Sequence, residues 1–363
     1  MIKYLGSKRL LATVLGDIAA AVGARTALDL FTGTTRVAQE FKRRGVDVTA
    51  VDCATYADVL ARCYIATDAA DATVVDKDEL ANAIDELNAL PGSPGYFTET
   101  FCVASRYFQP KNGARVDVMR DAIEARYRSE PLYHVLLTAL MLAADRVDST
   151  TGLQMAYLKQ WAARSHNDIE LRVPELLAGP GVAMRGDALA LVDDVPHVDL
   201  AYLDPPYNQH RYFTNYHVWE TLVRWDAPPH YGVACKRVDS RDDDTHSPFN
   251  GKRSMPAAMH SVISRTKADV VVVSYNDEAW VTPVEISHWL KDAGHADVAM
   301  LAFDSKRYVG AQIGIHNPAG EKVGSVSHLR NTEHIFVAGA AERVEAAVRS
   351  VAGGVAQMSR SSR

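Results

Sequence analysis

Residues 198–207 read V-D-L-A-Y-L-D-P-P-Y, and the rest of the chain is organised around this stretch. An apolar run ends at Asp204, which is typical of a buried parallel strand. Pro205 and Pro206 follow at once, and because neither can donate a hydrogen bond to a neighbouring strand, the strand must stop there. In open α/β sheets, ligands bind at the carboxyl ends of the strands. The stretch therefore predicts a carboxylate, a rigid turn and the aromatic ring of Tyr207 beside a binding site.

The chemistry of this turn suits an exocyclic amine on a planar base. The Asp204 carboxylate and the Pro205 carbonyl are two acceptors that a stiff backbone holds close together. Two acceptors on the two donors of an amino group would localise its lone pair and make the nitrogen nucleophilic. Tyr207 would stack on the base, a contact worth roughly 1–3 kcal/mol. The alternative is an ordinary turn that ends a strand, because Asp-Pro and Pro-Pro are frequent in turns.

The composition is that of an ordinary globular protein. The 363 residues are 47% hydrophobic and 23% charged, which allows one large domain or two smaller ones. No apolar run approaches the ~20 residues of a membrane span, and the first residues lack the apolar core of a signal peptide. The four cysteines have no C-x-x-C spacing, and the histidines have no metal-binding spacing. We therefore expect a reduced, cytoplasmic protein that needs neither a metal nor a membrane.

The net charge of −6 argues only weakly against a nucleic-acid partner, because many acidic residues are concentrated between residues 68 and 86. A DNA-binding protein needs a positive face rather than a positive total. Basic residues lie close together between residues 106 and 128, with Tyr107 and Phe108 among them, and they include Arg106, Lys111 and Arg115. This mixture suits phosphate contact and base stacking. Acidic residues are interleaved with it, so a solvated helix face is the alternative.

The first part of the chain has the pattern of a nucleotide-binding unit. A buried strand at 27–31 is followed by a turn with Gly33, a helix, and a second strand that ends at Asp52. An acid at this place suits the two hydroxyls of a ribose. The turn has one glycine rather than G-x-G-x-x-G, which argues against a dinucleotide and its pyrophosphate. S-adenosylmethionine, a cofactor with a ribose and no phosphate, fits better; for Asp52 alone, a strand-end carboxylate without a ligand is the alternative.

Strands that alternate with helices predict a doubly wound α/β sheet. The predicted strands are 27–31, 46–51, 182–187, 198–203, 268–275, 296–303 and 333–337. The last two are expected to pair antiparallel. Residues 53–180 are predicted to be a mainly helical insertion between the second and third strands. Residues 226–265 are expected to form a long irregular loop, a feature that is usually functional or disordered.

Taken together, the motifs resemble those of the alpha-group, or Dam-like, N6-adenine DNA methyltransferases over nearly the whole chain. They come in that group's order: Y-L-G-S-K from Tyr4 to Lys8, D-L-F-T-G from Asp29 to Gly33, Asp52, Gly186-Asp187, and D-P-P-Y from Asp204 to Tyr207. S-Y-N at 274–276 and N-T-E-H at 331–334 agree further. One departure is Thr34-Thr35, where the group more often has a second glycine or a serine.

The resemblance implies an S-adenosylmethionine-dependent enzyme with a class I methyltransferase-like sheet. It implies that Lys8 pairs with the methionine carboxylate, that Asp52 binds the ribose and that Asp187 contacts the adenine of the cofactor. The full set of implied cofactor residues is Tyr4, Lys8, Asp29, Phe31, Gly33, Asp52 and Asp187. The residues implied to hold the target base are Asp204, Pro205, Pro206 and Tyr207.

The resemblance also divides the chain and indicates its partner. A catalytic domain would comprise residues 1–52 and 181–340, and residues 341–363 would form a helix and tail. An inserted domain of residues 53–180 would read double-stranded DNA, and the loop of residues 226–265 is the alternative reader of the bases. The adenine would be flipped out of the duplex, in a restriction-modification or epigenetic system with or without a restriction endonuclease partner. Methylation of cytosine N4 or of RNA adenine stays open as an alternative, as does a catalytically silent DNA-binding protein. The missing glycines disfavour a nicotinamide dehydrogenase.

Overall fold

The computed structural model describes residues 2–3, 8, 11–206, 209, 211–276, 280–306, 315–316, 322–324 and 330–361. Two residues with predicted roles, Tyr4 and Tyr207, lie outside the described residues. The backbone is built around a seven-stranded sheet. Two short antiparallel pairs lie apart from it, one joining His230–Tyr231 to Lys236–Arg237 and the other joining Ile315–His316 to Lys322–Gly324.

The sheet carries the parallel core that the sequence predicts. Its strands are β1 (Thr26–Asp29), β2 (Asp47–Asp52), β3 (Gly181–Arg185), β4 (Val198–Leu203), β5 (Ala268–Asn276), β6 (Asp297–Lys306) and β7 (Arg330–Gly339). Their order across the sheet is β3-β2-β1-β4-β5-β7-β6. The first five of these run parallel, and β7 is antiparallel to both β5 and β6. The predicted doubly wound, class I methyltransferase-like sheet is confirmed.

Helices fill most of the connections. They are α1 (Ala12–Ala21), α2 (Arg36–Arg43), α3 (Thr55–Ala61), α4 (Lys77–Ala89), α5 (Tyr96–Thr98), α6 (Pro110–Tyr127), α7 (Tyr133–Val147), α8 (Ala188–Leu191), α9 (Tyr212–Asn215), α10 (His217–Arg224), α11 (Met255–Arg265), α12 (Pro283–Asp292) and α13 (Ala341–Ser361). Single π-helical segments, Arg62–Ala66 and Glu99–Ala104, extend α3 and α5. Within the described part of the chain, no helix is both long and apolar enough to cross a membrane.

Local sequence signals account for where several helices begin. The Asp76 carboxylate caps α4 by accepting from two backbone N–H groups of its first turn. Thr282 and Glu285 form a reciprocal capping box at the start of α12. Pro110 and Pro283 occupy first-turn positions of α6 and α12, where the missing N–H of proline costs nothing.

Hydrophobic side chains pack on both faces of the sheet. Alternate residues of β4 divide between them, because successive side chains of a strand point to opposite faces. Leu200 and Tyr202 join a large core that includes α1, α2 and the helices of the 53–180 segment. Ala201 and Leu203 join a smaller core with α11 and α12. The segment between β2 and β3 therefore shares one hydrophobic core with the sheet.

The expectation of an irregular chain up to residue 265 is wrong in its last part. Residues 255–265 form α11, which buries Met259, Val262 and Ile263 against the sheet. Their three- and four-residue spacing is helical, and the polar character of the preceding stretch obscured it. The remainder of this segment consists of short 3₁₀ turns and the small antiparallel pair near residue 230.

Candidate active site

A cavity of about 660 Å³ lies at the carboxyl ends of β1 to β4. This volume is in the range of small-molecule and cofactor sites. The cavity brings together nine residues that the sequence singled out: Lys8, Asp29, Phe31, Gly33, Asp52, Asp187, Asp204, Pro205 and Pro206. The predicted cofactor residues and the D-P-P turn therefore line one continuous space.

The turn after β1 is held by the acid that ends β2. Gly33 has a φ of +51°, and its N–H donates to Asp52 Oδ2 at 2.8 Å. The other carboxylate oxygen accepts from the N–H of Ala54 at 3.0 Å. Burial raises the pKa of Asp52, and these backbone donors oppose that rise. These two hydrogen bonds fix the Asp52 carboxylate at the cavity wall.

The departure from the family pattern at Thr34-Thr35 has a structural consequence. Thr35 is buried and has a φ of +61°, a left-handed conformation that is unfavourable for a β-branched residue. Its N–H donates to the Thr32 carbonyl at 2.7 Å, and its hydroxyl accepts from Gln39 at 2.8 Å. These hydrogen bonds hold the strained residue in its left-handed conformation.

Asp29 ends β1 as a buried carboxyl group in the cavity wall. The Thr32 hydroxyl donates to Asp29 Oδ2 at 3.0 Å. Asp29 Oδ1 is buried and has no hydrogen-bond partner among the described residues. Burial raises the pKa of Asp29 to about 7. A buried acceptor without a partner is rare, and it fits a positively charged donor that arrives with a ligand.

The Asp204 carboxylate lies beside a buried ammonium group. Lys8 Nζ is 3.2 Å from Asp204 Oδ1, and it also contacts Glu333 Oε1. The Ser274 hydroxyl donates to the same Glu333 oxygen at 2.8 Å. The structure thus places Lys8 between two carboxylates of the protein. Burial raises the pKa of Asp204 to about 6; Lys8 lowers it and Glu333 raises it.

Three other predicted residues have clear structural positions. Asp187 is exposed at the cavity rim and caps α8, accepting from the N–H groups of Leu189 and Ala190 at 2.9 and 3.3 Å. Pro205 is buried directly behind Asp204, and Pro206 is half-buried. These two prolines begin the turn that leaves β4, as the sequence predicts.

The cavity also contains residues that sequence reasoning missed. Phe249 packs edge-on against Phe31, with ring centroids 5.1 Å apart. Glu220 is buried on α10 and accepts from the N–H of Tyr56 at 3.2 Å. A lone acid in the apolar pattern of α10 was a signal that could have revealed Glu220. Phe249 lies in the irregular segment, where no periodicity marked it.

The three residues predicted to contact DNA lie away from the cavity wall. Arg106 stacks over the ring of Trp161 at 4.6 Å from its centroid. Lys111 pairs with Asp168 at 2.6 Å. Arg115 donates to a backbone carbonyl at 2.6 Å. Each of these cations has a contact within the 53–180 segment.

The strand order and the cavity agree with the fold and binding site expected of an S-adenosylmethionine-dependent methyltransferase. Residues 4–287 match the family described as D12 class N6 adenine-specific DNA methyltransferase, and the chain belongs to this family. It is an adenine-specific DNA methyltransferase whose methyl donor is S-adenosylmethionine.

Several known methylases are similar to this chain. The type II methyltransferase M.NlaIII of Neisseria lactamica is 27% identical over 315 residues, which is 83% of this chain and 91% of that protein. The modification methylase StsI of Streptococcus sanguinis is 28% identical, over 80% of this chain but 46% of that longer protein. A solved precorrin-6y C5,15-methyltransferase from Geobacter metallireducens GS-15 covers 93% of both chains at 11% identity and a TM-score of 0.30, a likeness too distant for any inference.

Proposed function

We propose that the chain methylates N6 of an adenine flipped out of double-stranded DNA at a defined sequence. The observation that carries this proposal is the continuity of the cavity from Gly33 and Asp52 to the Asp204–Pro206 turn. An adenine inside a duplex is stacked and cannot enter such a cavity, so the base must leave the helix at a cost of a few kcal/mol.

The wall residues fit the parts of the methyl donor. Asp52 would accept from the ribose hydroxyls, and Asp187 at the rim would contact the adenine of the cofactor. The Asp29 oxygen that has no partner among the described residues fits the methionine ammonium group, which would supply a hydrogen-bond donor to this buried atom. Phe31 and Gly33 would line the cofactor turn. Bound there, S-adenosylmethionine supplies the methyl group, and Tyr4 and Lys8 are expected to lie near its methionine end.

The D-P-P turn would prepare the target amine. Asp204 and the Pro205 carbonyl each accept one N6 hydrogen, which turns the nitrogen lone pair out of the ring plane. The amine gains positive charge as it is methylated, and the Asp204 carboxylate stabilises that charge in a buried setting until the nitrogen releases one of its protons. Pro206 keeps the turn rigid, and Tyr207 is expected to stack on the base. Catalysis is then largely a matter of orientation and electrostatics.

A substrate comparison tests the reaction. Tritiated S-adenosylmethionine is supplied with duplex DNA, RNA or protein, and the labelled product is digested to nucleosides. We expect label in duplex DNA alone, recovered as N6-methyladenine. Label on cytosine N4, or in RNA at a comparable rate, would contradict the proposed substrate. DNA binding without any methyl transfer would instead favour a catalytically silent protein.

We further propose that the 53–180 segment contacts the DNA backbone. Replacing Arg106, Lys111 and Arg115 together by alanine is expected to weaken DNA binding and flatten its salt dependence, because each lost phosphate contact lowers the log–log slope by roughly 0.9. Binding is measured across salt concentrations. The matched control replaces three exposed basic residues elsewhere, Lys267, Lys291 and Arg349. If both triple variants keep the original slope while binding cofactor normally, this segment is not a contact surface.

The biological setting is proposed from the relatives, which are named as type II methyltransferases and modification methylases. We place the protein in a restriction-modification system with a cognate endonuclease. DNA methylated to completion should then resist an endonuclease that cleaves the unmodified site. If every endonuclease that recognises the methylated sequence still cleaves fully methylated DNA, a cognate endonuclease partner is contradicted. A cytoplasmic location fits a DNA substrate and four free cysteines.

A further inference from the structure

We infer that Glu333 is a positioning residue for methyl transfer, because by sharing the Lys8 ammonium group it keeps the Asp204 carboxylate available to accept from the target amine. The inference rests on the proposed role of Asp204. It concerns a residue of the last strand, for which the sequence suggested no role.

The fold brings Glu333 to the active site from the far end of the chain. It lies near the start of β7, opposite Asn276 in the antiparallel pairing with β5. Because β7 runs against its neighbour, its amino end meets the carboxyl ends of β4 and β5. Glu333 is 7% exposed, and the Ser274 hydroxyl of β5 fixes one of its oxygens. An acid in the strand pattern E-H-I-F-V-A is thereby buried next to the D-P-P turn.

One ammonium group serves two carboxylates at this place. Lys8 is 8% exposed, and it contacts both Asp204 and Glu333. The Lys8 ammonium nitrogen lies 3.2 Å from the Asp204 carboxylate oxygen. Two carboxylates and one ammonium carry one net negative charge. The Asp204 side chain, which is 19% exposed, presents that charge at the cavity wall.

The reaction requires this excess negative charge. A lone Lys8–Asp204 pair would be neutral, and the ammonium would compete with the amine hydrogens for the same carboxylate lone pairs. Glu333 draws the ammonium toward itself and restores an anion at the point where the amine becomes positively charged. A Glu333 that only filled space in the fold would have no influence on how Asp204 ionises.

The groups that face Asp204 come from several elements. Lys8 and Glu333 act on it most directly, and Tyr202 of β4 and Asp29 of β1 lie nearby. Asp204 accepts from the amine only when it is ionised. The transfer rate is therefore expected to rise with pH through the Asp204 pKa of about 6 and to be lost below it.

The experiment is a pH profile of single-turnover methylation with saturating cofactor and duplex DNA. Glu333→Gln removes one anion and leaves Asp204 as the only carboxylate of this pair that contacts Lys8. The Asp204 carboxyl group therefore becomes easier to ionise. We expect the maximal rate to fall about tenfold and the acidic midpoint to move down by roughly one pH unit. DNA and cofactor affinities should change less than about twofold. The conservative Glu333→Asp should recover most of the rate and the original midpoint.

A second variant tests the same arrangement with the opposite sign. Lys8→Met leaves two carboxylates without their cation, so the Asp204 pKa rises and the acidic midpoint should move upward. This measurement does not depend on the folding of any Glu333 variant. A folded Glu333→Gln with an unmoved or raised midpoint would overturn the inference, and so would an unmoved midpoint in Lys8→Met.

Failure of the inference and failure of the proposed function are distinguishable. Asp204→Ala is assayed beside these variants. If Asp204→Ala keeps its rate, the role of the D-P-P turn is wrong and the inference falls with it. If Asp204→Ala loses its rate while Glu333→Gln keeps the wild-type midpoint, the turn is catalytic and the role of Glu333 alone is refuted.

Discussion

Asp204→Ala is expected to lower the rate of methyl transfer by about 10²–10³-fold while the fold and cofactor binding stay largely intact. The loss corresponds to removing one preorganised partner of the reacting amine. Asp204 lies past the last residue of β4, so its removal leaves no cavity in the core. Lys8 keeps Glu333 as a partner in the variant, which limits the cost of unpairing a buried ammonium. Single-turnover methylation of an adenine-containing duplex measures the effect.

Two further variants make this test specific. Asp204→Asn should be nearly as slow, because the amide keeps an acceptor but loses the charge that stabilises the methylated nitrogen. Asp193→Ala is the matched control, since it removes an exposed aspartate whose partner is Arg265, away from the cavity. DNA binding should survive in all three proteins. A near-normal rate for Asp204→Ala would show that the D-P-P turn only ends β4 and has no catalytic role.

The second large effect is expected for Asp52→Ala, which should weaken S-adenosylmethionine binding by roughly 1.5–3 kcal/mol. The variant would lose the hydrogen bonds between the Asp52 carboxylate and the ribose hydroxyls of the cofactor. The substitution would also leave the N–H groups of Gly33 and Ala54 without the carboxylate oxygens that accept from them at 2.8 and 3.0 Å. Calorimetry measures the affinity, and thermal unfolding checks that the variant is folded.

A thermodynamic cycle separates these two causes. The cofactor analogue that lacks the ribose 2′-hydroxyl is bound to the wild type and to Asp52→Ala. If Asp52 contacts the ribose, the missing hydroxyl costs affinity in the wild type and little in the variant. If the hydroxyl costs the same in both proteins, Asp52 acts only on the turn. Unchanged cofactor affinity in folded Asp52→Ala would remove the residue from the site altogether.

The sequence was most informative where chemistry and local structure coincide. The apolar run before Asp204 predicts a strand, the two prolines predict its end, and Gly33 in the turn after the first strand predicts a nucleotide-type turn. Each of these signals involves only a few neighbouring residues, so it can be recognised without knowledge of the rest of the fold. The order of the acids along the chain then placed Asp52 and Asp204 at one edge of the sheet, where the cavity lies.

The rest of the site depends on contacts that local patterns do not encode. Lys8 and Glu333 are separated by 325 positions along the chain, and only the pairing of β7 beside β5 brings them together. Phe249 reaches the cavity from an irregular segment without periodicity. Arg106, Lys111 and Arg115 were grouped by composition, yet composition could not say that each contacts a group within its own segment.

The position of β7 also determines when, during synthesis, the chain can complete its sheet and its active site. β7 follows β6 along the chain, yet its place is between β5 and β6. A ribosome that has completed Asn276 must add the 63 residues from 277 to 339 before β7 is whole. At about 5–20 residues per second this takes roughly 3–13 s. Throughout that interval the valine-rich edge of β5 stays open to pairing with other chains, and the nascent enzyme still lacks Glu333 beside its D-P-P turn.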